Sequence, residues 1–252
     1  MHPGESQETP KSTVVVTRAV KQNKDLIKGV KELGYNVIAR PTIEITLPDD
    51  KGVAFRGAVQ NLAKYEWVIL TSANGVIEFV KAAKELSIQN YPKIAVIGSA
   101  TEKTLNNLGL TAMLRPNEQV AEGLIDIFPL PTSNKNLLLP VAMKSREILS
   151  KELIKRGWNA HTVHSYKSTK PKQFEPFNND QENADFIIFT SPSTVSNFIE
   201  MYGKENMPNQ IISIGPVTTE EIRKNNFSVC RESNPHDSSG ILQSLYELIN
   251  TM

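Results

Sequence analysis

Short apolar runs recur along the chain, and each leads into a polar stretch with helical periodicity. The runs are 14–17 (VVVT), 67–70 (WVIL), 94–97 (IAVI), 186–189 (FIIF) and 211–214 (IISI). Unbroken apolar runs are typical of strands buried on both faces, and strands that alternate with helices indicate parallel sheets. The pattern therefore predicts an α/β protein with helices on both faces of its sheets.

The same pattern predicts the individual elements. Strands are expected at 13–17, 36–40, 67–70, 94–97, 111–114, 137–140, 160–165, 186–189, 211–214 and 228–231. Helices are expected at 22–33, 51–63, 75–86, 100–108, 119–127, 145–156, 194–202, 217–224 and 238–249. Gly34, Gly109 and Gly157 directly follow helices and support the positions of their C-terminal ends.

Three pairs of segments repeat along the chain. They are 65–80 with 184–199, 94–110 with 211–227, and 14–41 with 137–166, at offsets of 119, 117 and 123 residues. Repeats at this spacing indicate duplicated domains and not the short units of a solenoid. With about five strands each, we expect two similar flavodoxin-like domains with parallel sheets.

Two predicted strands are longer than the rest. Strand 36–40 continues through PTIEITL to Pro48, and strand 160–165 continues through YKSTK to Pro171. Each approaches ten residues, whereas strands typically have about five or six. We interpret them as a two-stranded β-ladder that joins the domains. The predicted division is a disordered tail at 1–12, domain 1 at 13–41 plus 172–252, domain 2 at 49–162, and connector strands at 42–48 and 163–171.

Composition and motifs exclude several classes of function. A net charge of +1 gives no overall field for nucleic acid, and no apolar run approaches the ~18 residues of a membrane span. The polar start MHPGESQETPKS lacks the apolar core of a secretory signal, and one cysteine cannot form an internal disulfide. The chain has no CxxC, HExxH, GxSxG, P-loop or GxGxxG pattern, so neither a metal nor a nucleotide site is indicated.

Polar residues follow the buried strands where ligands bind in open parallel sheets, beyond the carboxyl ends. These residues are Thr17, Arg18, Thr71, Ser72, Asn74, Gly75, Gly98, Ser99, Thr101, Thr190, Ser191, Ser193, Gly215, Thr218 and Thr219. At any one position an ordinary helix N-cap explains a serine or threonine. Because such loops recur at matching places in both domains, the set favours recognition of carboxylate or phosphate groups by helix N-termini and hydroxyls.

Three further residues are candidates for a site between the domains. Tyr166, at the end of a connector strand, is either an interface residue or a phenol that reaches the cleft, and the pattern supports both. Lys144 and Arg146 are expected to open the helix at 145–156, where cations are unfavourable. A bound polyanion nearby would explain these cations better than a solvated helix face does.

The ordered set of motifs resembles the uroporphyrinogen-III synthase family. The matching segments are VTRA at 16–19, 32–45, WVILTSANGV at 67–76, 95–105, 120–125, 144–158, HSYKS at 164–168, FIIFTSPSTVSNF at 186–198 and 212–222. This resemblance implies two α/β domains joined by a β-ladder, and a cytoplasmic, monomeric enzyme without cofactor or metal.

The resemblance also implies an activity. The expected reaction is that of a cyclising hydro-lyase, which closes hydroxymethylbilane, a linear tetrapyrrole with eight carboxylates, to uroporphyrinogen III. The last pyrrole ring is inverted through a spiro intermediate and water is released. Tyr166 would then assist departure of the hydroxyl group, while the loop residues and the cations Arg18, Lys144 and Arg146 would hold substrate carboxylates.

The chain departs from the family pattern at two places. Residues 141–143 (VAM) replace a loop that often contains glycine, and Asn226 stands where the first copy of the repeat has Gly109. Two other interpretations stay open. One is a non-catalytic two-domain module that binds a polycarboxylate or tetrapyrrole. The other is a periplasmic-type solute-binding protein, which the missing signal sequence disfavours.

Overall fold

The computed structural model describes residues 12–20 and 23–249. Of the tail expected at 1–12, residues 1–11 lie outside the described residues, as does Gln22 of the first expected helix. The chain divides into two compact units, which comprise residues 1–44 with 169–252 (unit 1) and 45–168 (unit 2).

Ten strands and ten α-helices lie within the described residues. The strands are β1 (Thr13–Val16), β2 (Asn36–Ala39), β3 (Glu44–Thr46), β4 (Trp67–Leu70), β5 (Lys93–Val96), β6 (Asn136–Ala142), β7 (Asn159–Thr169), β8 (Phe186–Phe189), β9 (Gln210–Ser213) and β10 (Arg231–Glu232). The helices are α1 (Lys24–Glu32), α2 (Val53–Gln60), α3 (Ala73–Glu85), α4 (Ser99–Asn107), α5 (Ala121–Ile127), α6 (Ile148–Lys155), α7 (Asn179–Glu182), α8 (Pro192–Tyr202), α9 (Pro216–Lys224) and α10 (Ser238–Ile249).

Unit 1 contains a sheet with the order β10-β9-β8-β1-β2, in which every pair is parallel. Counted along the chain within the unit, this order reads 2-1-3-4-5 from the β2 edge, which is the flavodoxin order. Side chains alternate between the two faces of each strand. Val14 and Val16 pack in one apolar cluster and Val15 in another, so both faces of the sheet are covered.

Unit 2 repeats this arrangement with the order β3-β7-β6-β4-β5. In the repeat, β6, β7, β4 and β5 correspond to β1, β2, β8 and β9, so the four strands occupy equivalent places in the two sheets. Leu114 forms an isolated parallel bridge to Ala95 at the position equivalent to β10. The edge strand β3 lies beside β7, so the two overlong stretches of the sequence are neighbours in one sheet.

The expected elements differ most from the observed ones at three places. The strand expected at 111–114 is reduced to the single bridge at Leu114, and the strand expected at 228–231 is the two-residue β10. The helix expected at 145–156 begins at Ile148. The expected glycine stops are confirmed, since Gly34, Gly109 and Gly157 all have φ between 87° and 93°. Asn226 takes the same left-handed conformation (φ 67°) in place of a glycine.

Candidate active site

The turn at Thr71 and Ser72 joins β4 to α3 at the carboxyl end of the unit 2 sheet. Ser72 is extended (φ −154°, ψ 154°), and its Oγ accepts the backbone N–H of Gly75 at 3.1 Å. The serine thereby satisfies one N–H group that the first helical turn leaves without an internal partner. Asn74 lies half-buried in the same turn of helix. The helix N-terminus thus gathers the site residues that were expected after this strand.

Tyr166 reaches the same helix end from β7. The pairing of β6 with β7 shifts between Val141 and Ala142, which leaves Ser165 as an extra residue on β7. A bulge of this kind re-aims the side chains that follow it. The Tyr166 side chain is buried (7% exposed), and its hydroxyl oxygen lies 3.0 Å from Ser72 Oγ.

These contacts form a series of hydrogen bonds that begins at the helix. The Gly75 N–H donates to Ser72 Oγ, and either hydroxyl can donate in the bond between Ser72 and Tyr166. If Ser72 donates, the phenolic hydrogen of Tyr166 is available to a ligand. Hydrogen bonds in series polarise one another, and the N-terminus of a helix carries partial positive charge. The arrangement therefore favours Tyr166 as a hydrogen-bond donor.

A cavity of about 340 Å³ lies beside this turn in unit 2. Thr71, Gln119 and Arg146 contribute polar groups to its wall, and Val141 and Ile148 contribute apolar side chains. Glu122 and Glu147 also line the cavity, so its wall combines an apolar surface with hydroxyl, amide, guanidinium and carboxylate groups. An apolar pocket with a few polar groups suits an organic ligand, and Arg146 is its group of positive charge.

Lys144 and Arg146 lie in the exposed loop between β6 and α6, because that helix begins later than expected. The two cations therefore escape the unfavourable field of a first helical turn, contrary to expectation. Arg146 lines the cavity, whereas Lys144 is not among the described residues that do so. The Met143 N–H donates to the Tyr166 carbonyl at 2.9 Å, so this loop is attached to the strand that carries the tyrosine.

In the second loop of unit 2, which follows β5, the side chain of Gln119 accepts hydrogen bonds from the start of α4. Gly98 is the N-cap of α4, and Ser99 is the first helical residue. Both the N–H and the hydroxyl of Ser99 donate to Gln119 Oε1, at 2.8 and 3.0 Å. Thr101 is buried in the following turn of the helix. Gln119, which the sequence did not single out, thus occupies the donors that were expected to bind a ligand.

In unit 1, the residues after β1 hold neighbouring segments together. Thr17 is fully buried, and its hydroxyl donates to the Ile188 carbonyl at 2.7 Å, so it serves the packing of β1 against β8. Arg18 is half-buried and donates from Nη1 to Ser238 Oγ at 3.0 Å. Burial lowers the pKa of the Arg18 guanidinium from its ordinary value, and the negative charge of Asp25 opposes that shift. Arginine nevertheless stays protonated in proteins.

The loop after β8 is a capping box at the start of α8. Ser191 Oγ accepts the Thr194 N–H at 3.4 Å, while Thr194 Oγ1 accepts the Ser191 N–H at 3.3 Å. Ser193 is exposed, and its Oγ lies 3.0 Å from Ser191 Oγ. Thr190 is half-buried at the start of the loop. Two adjacent hydroxyls are thus presented at the carboxyl end of this sheet, as Thr71 and Ser72 are in unit 2.

The loop after β9 leads into α9 with two buried threonines, and the hydroxyl of one of them is bonded within unit 1. Gly215 is the N-cap of α9, and Thr218 is buried in the first turn. Thr219 is also buried, and its hydroxyl lies 2.5 Å from both Ser213 Oγ and a carboxylate oxygen of Glu232. The Thr219 hydroxyl is therefore engaged within unit 1, as the hydroxyl of Thr17 is.

A further loop, residues 233–238, reaches this end of unit 1 and was not singled out from the sequence. Ser238 accepts the hydrogen bond from Arg18, and the His236 ring lies against Gly215, where a Cβ would be 3.1 Å from the imidazole Cγ. The sequence offered one usable indication, because residues 120–125 and 237–242 share a glycine at offset 117. That offset equates His236 with Gln119.

Membrane-spanning helices and metal-binding clusters are both missing from the described part of the chain. None of its helices combines the length and apolar character that crossing a membrane requires. Within residues 12–20 and 23–249, no three His, Cys, Asp or Glu side chains converge so that they could hold a metal ion.

Comparison with known proteins gives a consistent family. A family model described as uroporphyrinogen-III synthase HemD matches residues 24–243. The uroporphyrinogen-III synthase of Synechococcus elongatus is 33% identical over 196 residues, which cover 75% of this chain and 74% of that protein.

Two solved structures share the fold. A mutant uroporphyrinogen III synthase from the extremely thermophilic bacterium Thermus thermophilus has a TM-score of 0.62 at 16% identity and covers 96% of this chain and 100% of its own. The uroporphyrinogen-III synthetase of Helicobacter pylori has a TM-score of 0.58 at 16% identity, with coverage of 94% and 99%. At these identities the structural match establishes the α/β fold.

Proposed function

The chain belongs to the uroporphyrinogen-III synthase family, and on this premise we propose that it converts hydroxymethylbilane to uroporphyrinogen III in tetrapyrrole biosynthesis. The reaction closes the macrocycle, inverts the last pyrrole ring and releases water. The observation that carries the proposal is the series of hydrogen bonds from Gly75 through Ser72 to Tyr166.

Tyr166 acts on the first step, in which the hydroxyl group leaves the first ring. The departing oxygen gains negative charge as its bond to carbon breaks, and a hydrogen bond from the phenol stabilises that charge. Ser72 supports this role because its hydroxyl donates a hydrogen bond to the Tyr166 oxygen, which leaves the phenolic hydrogen for the substrate. The electrons come from the pyrrole ring, which becomes an azafulvene-type cation. The hydroxide takes up a proton and leaves as water, and the macrocycle gives back one proton from the ring carbon that forms the closing bond.

The remaining steps place demands on binding more than on acid–base chemistry. The last ring attacks the cation through its substituted carbon to give a spiro intermediate, which fragments and closes again with that ring inverted. Closure through the unsubstituted carbon would give the uninverted isomer I, so the protein must hold the chain in a bent conformation. No electrons are gained or lost overall, so the reaction requires no redox partner.

The protein can bind and orient the substrate through its eight ionised carboxylates. Charge-assisted hydrogen bonds from N–H groups, hydroxyls and guanidinium groups bind carboxylates more strongly than neutral hydrogen bonds do. The donors that we assign to this role are Arg18, Thr71, Asn74, Gly98, Thr101, Lys144, Arg146, Thr190, Ser191, Ser193, Gly215 and Thr218. Thr17 and Thr219 are assigned to the structure of unit 1 instead, and Ser99 is engaged by Gln119.

Isomer analysis tests the proposal directly. Hydroxymethylbilane generated in situ closes spontaneously to isomer I, and the protein is expected to divert it to isomer III, as measured by chromatography of the oxidised porphyrins. A non-catalytic homologue that binds tetrapyrroles would instead bind without diverting the product. Formation of isomer I alone at a saturating protein concentration would therefore contradict the proposed activity and favour that alternative.

A further inference from the structure

The duplication provides an internal comparison for the loop at residues 233–238. Gly98, Gln119 and Gly123 in unit 2 correspond to Gly215, His236 and Gly240 in unit 1, each at offset 117. In both units the residue two positions before the next helix, α5 or α10, lies over the glycine that caps α4 or α9. A Cβ at Gly98 would lie 3.3 Å from Gln119 Oε1, and a Cβ at Gly215 would lie 3.1 Å from the His236 ring.

The two positions differ in what they contact. In unit 2, Gln119 Oε1 accepts both donors of Ser99, so glutamine and serine satisfy each other. In unit 1, Pro216 takes the place of Ser99 and offers neither an N–H nor a hydroxyl. A side chain at residue 236 therefore cannot accept hydrogen bonds of the kind that Gln119 accepts from Ser99 in unit 2.

His236 is oriented by its own loop instead. Its Nδ1 lies 2.7 Å from the Ser233 carbonyl oxygen, and because a carbonyl only accepts, Nδ1 carries the proton and donates. Ser233 is itself buried and donates to the Ser213 carbonyl at 2.7 Å, which fixes the acceptor. Among the described residues, no hydrogen bond engages the second ring nitrogen, Nε2. His236 is exposed, and its ring is held by the hydrogen bond from Nδ1 to Ser233. Nε2 lies on the other side of the ring from Nδ1.

Charged groups of both signs lie around this loop. Arg18 brings a guanidinium to Ser238. Asp237 directs Oδ1 to the N–H groups of Ser239 and Gly240, where it caps α10. Glu232, on β10, accepts the hydrogen bond from Thr219. Both carboxylates therefore accept hydrogen bonds within unit 1, and the negative charge of Asp25 acts on Arg18.

We propose that His236 is a substrate-binding residue, which donates from Nε2–H to a carboxylate of the tetrapyrrole. The inference rests on the proposed function and adds a residue in unit 1 to its binding set. Because Nδ1–H is committed to Ser233, donation from Nε2 requires the imidazolium form, and an anion close to the ring stabilises that form. Unit 2 has no counterpart to this contact at Gln119, so the two copies of the loop have different roles.

Binding of uroporphyrin III, a stable oxidised octacarboxylate, tests the inference without catalysis. Loss of one hydrogen bond to a charged group is expected to weaken the affinity of His236→Ala about tenfold at neutral pH. His236→Gln, which places the residue of unit 2 at this position, should weaken it in the same direction and guards against a folding defect in the alanine variant. Fluorescence titration gives the affinities, and thermal melting confirms that each variant is folded.

His161→Ala is the matched control. His161 is also exposed, but its ring is stacked on Tyr65 and Nδ1 lies 2.5 Å from the Tyr65 hydroxyl, near the amino end of β7. The affinity of His161→Ala for uroporphyrin III should match that of the unchanged protein. With hydroxymethylbilane, His236→Ala should raise KM and leave kcat nearly unchanged, which is the result for a group that binds substrate and transition state alike.

Two results would overturn the inference. One is an affinity of folded His236→Ala and His236→Gln for uroporphyrin III equal to that of the unchanged protein. The other is no binding of uroporphyrin III by the unchanged protein. Failure of the proposed activity gives a different result, because the unchanged protein would then yield isomer I while the titration still reports on His236.

Discussion

Tyr166 is placed by two features that act together. The extra residue on β7 aims its side chain, and Ser72 holds its hydroxyl 3.0 Å away at the N-terminus of α3. The ring is almost fully buried, so substitution by phenylalanine keeps the packing and removes the hydroxyl alone. The chemical role of the phenol can therefore be separated from its structural role.

Tyr166→Phe is expected to lower kcat for isomer III by about 100-fold, the lower end of the range for a positioned proton donor. Thr71→Ala, which removes a neighbouring hydroxyl from the wall of the cavity, should have a smaller effect and act mainly on KM. Steady-state kinetics with product analysis checks both variants. Equal losses of kcat in the two variants would refute the assignment of Tyr166 as the group that assists the leaving hydroxyl.

Ser72 and Ser191 are equivalent N-caps at offset 119, and within residues 12–20 and 23–249 a tyrosine hydrogen-bonds to Ser72 but not to Ser191. Each serine-to-alanine change should lower stability by about 1 kcal/mol, because each leaves a helix N–H without its acceptor. Only Ser72→Ala should also lower kcat, since it removes the donor that supports Tyr166. Denaturant unfolding and kinetics measure the two effects. An unchanged kcat in Ser72→Ala would show that Tyr166 acts without this support.

At the residue scale, the sequence predicted where the polar groups lie better than it predicted whether they are available. Thr17 and Thr219 come at the ends of strands as expected, but their hydroxyls bond to Ile188 and Glu232. Ile188 is 171 residues away from Thr17 along the chain, so no local pattern could reveal that contact. The substrate contacts of the other loop residues stay predictions.

At the scale of elements, α5 and α10 both begin with a glycine in the first turn that packs against the preceding backbone. Both helices begin so close to the preceding turn that only glycine fits in the first turn. A Cβ at Gly240 would lie 1.9 Å from the Pro235 carbonyl oxygen, and one at Gly123 would lie 2.4 Å from the Glu118 carbonyl oxygen. Because each obstacle is backbone, a side-chain movement cannot relieve it.

Gly240→Ala is therefore expected to destabilise the protein by about 2 kcal/mol or more, as overpacking against rigid atoms does. Gly57→Ala is the control, because Gly57 lies within α2 and a Cβ there would meet nothing within 4 Å. That change should stabilise the protein by roughly 0.5–1 kcal/mol through helix propensity. Urea unfolding of both variants measures the difference, and opposite signs are expected. A stabilising Gly240→Ala would show that the start of α10 adapts freely.

The strands of the core were predictable because burial on both faces imposes unbroken apolar runs, and β4, β8 and β9 lie within one residue of their expected bounds. The errors occur where that constraint is weak. Residues 111–114 (TAML) mix small and apolar residues, and only Leu114 pairs with a strand. In residues 145–147 (SRE), helix-forming residues precede α6 but have no apolar position to bury, so composition alone could not locate the start of that helix.

For the whole molecule, the repeats predicted the architecture more completely than any single element did. Each duplicated strand occupies the equivalent place in its own sheet, and the order in unit 1 is that of flavodoxin. The repeats could not reveal how the copies have diverged. Pro216 in place of Ser99 and His236 in place of Gln119 are local differences with chemical consequences, and they required the contacts of both loops to interpret.

We expect unit 2 to fold independently of unit 1. It is one continuous segment, Ile45–Ser168, with apolar clusters on both faces of its sheet, and Tyr166, Ser72 and the cavity all lie within it. A fragment with these bounds should unfold cooperatively, with an enthalpy of roughly 90 kcal/mol near 60 °C for its length. Calorimetry measures this value, and agreement with the van't Hoff enthalpy indicates two-state unfolding.

The same fragment should not form isomer III, although it contains the proposed catalytic tyrosine. It lacks Arg18, Ser191 and His236, and without the donors of unit 1 the released cation is free to close through the unsubstituted carbon. A folded fragment that yields isomer I without isomer III is the expected result. Isomer III from this fragment would show that unit 2 alone directs ring inversion, and the absence of a cooperative transition would show that its core depends on unit 1.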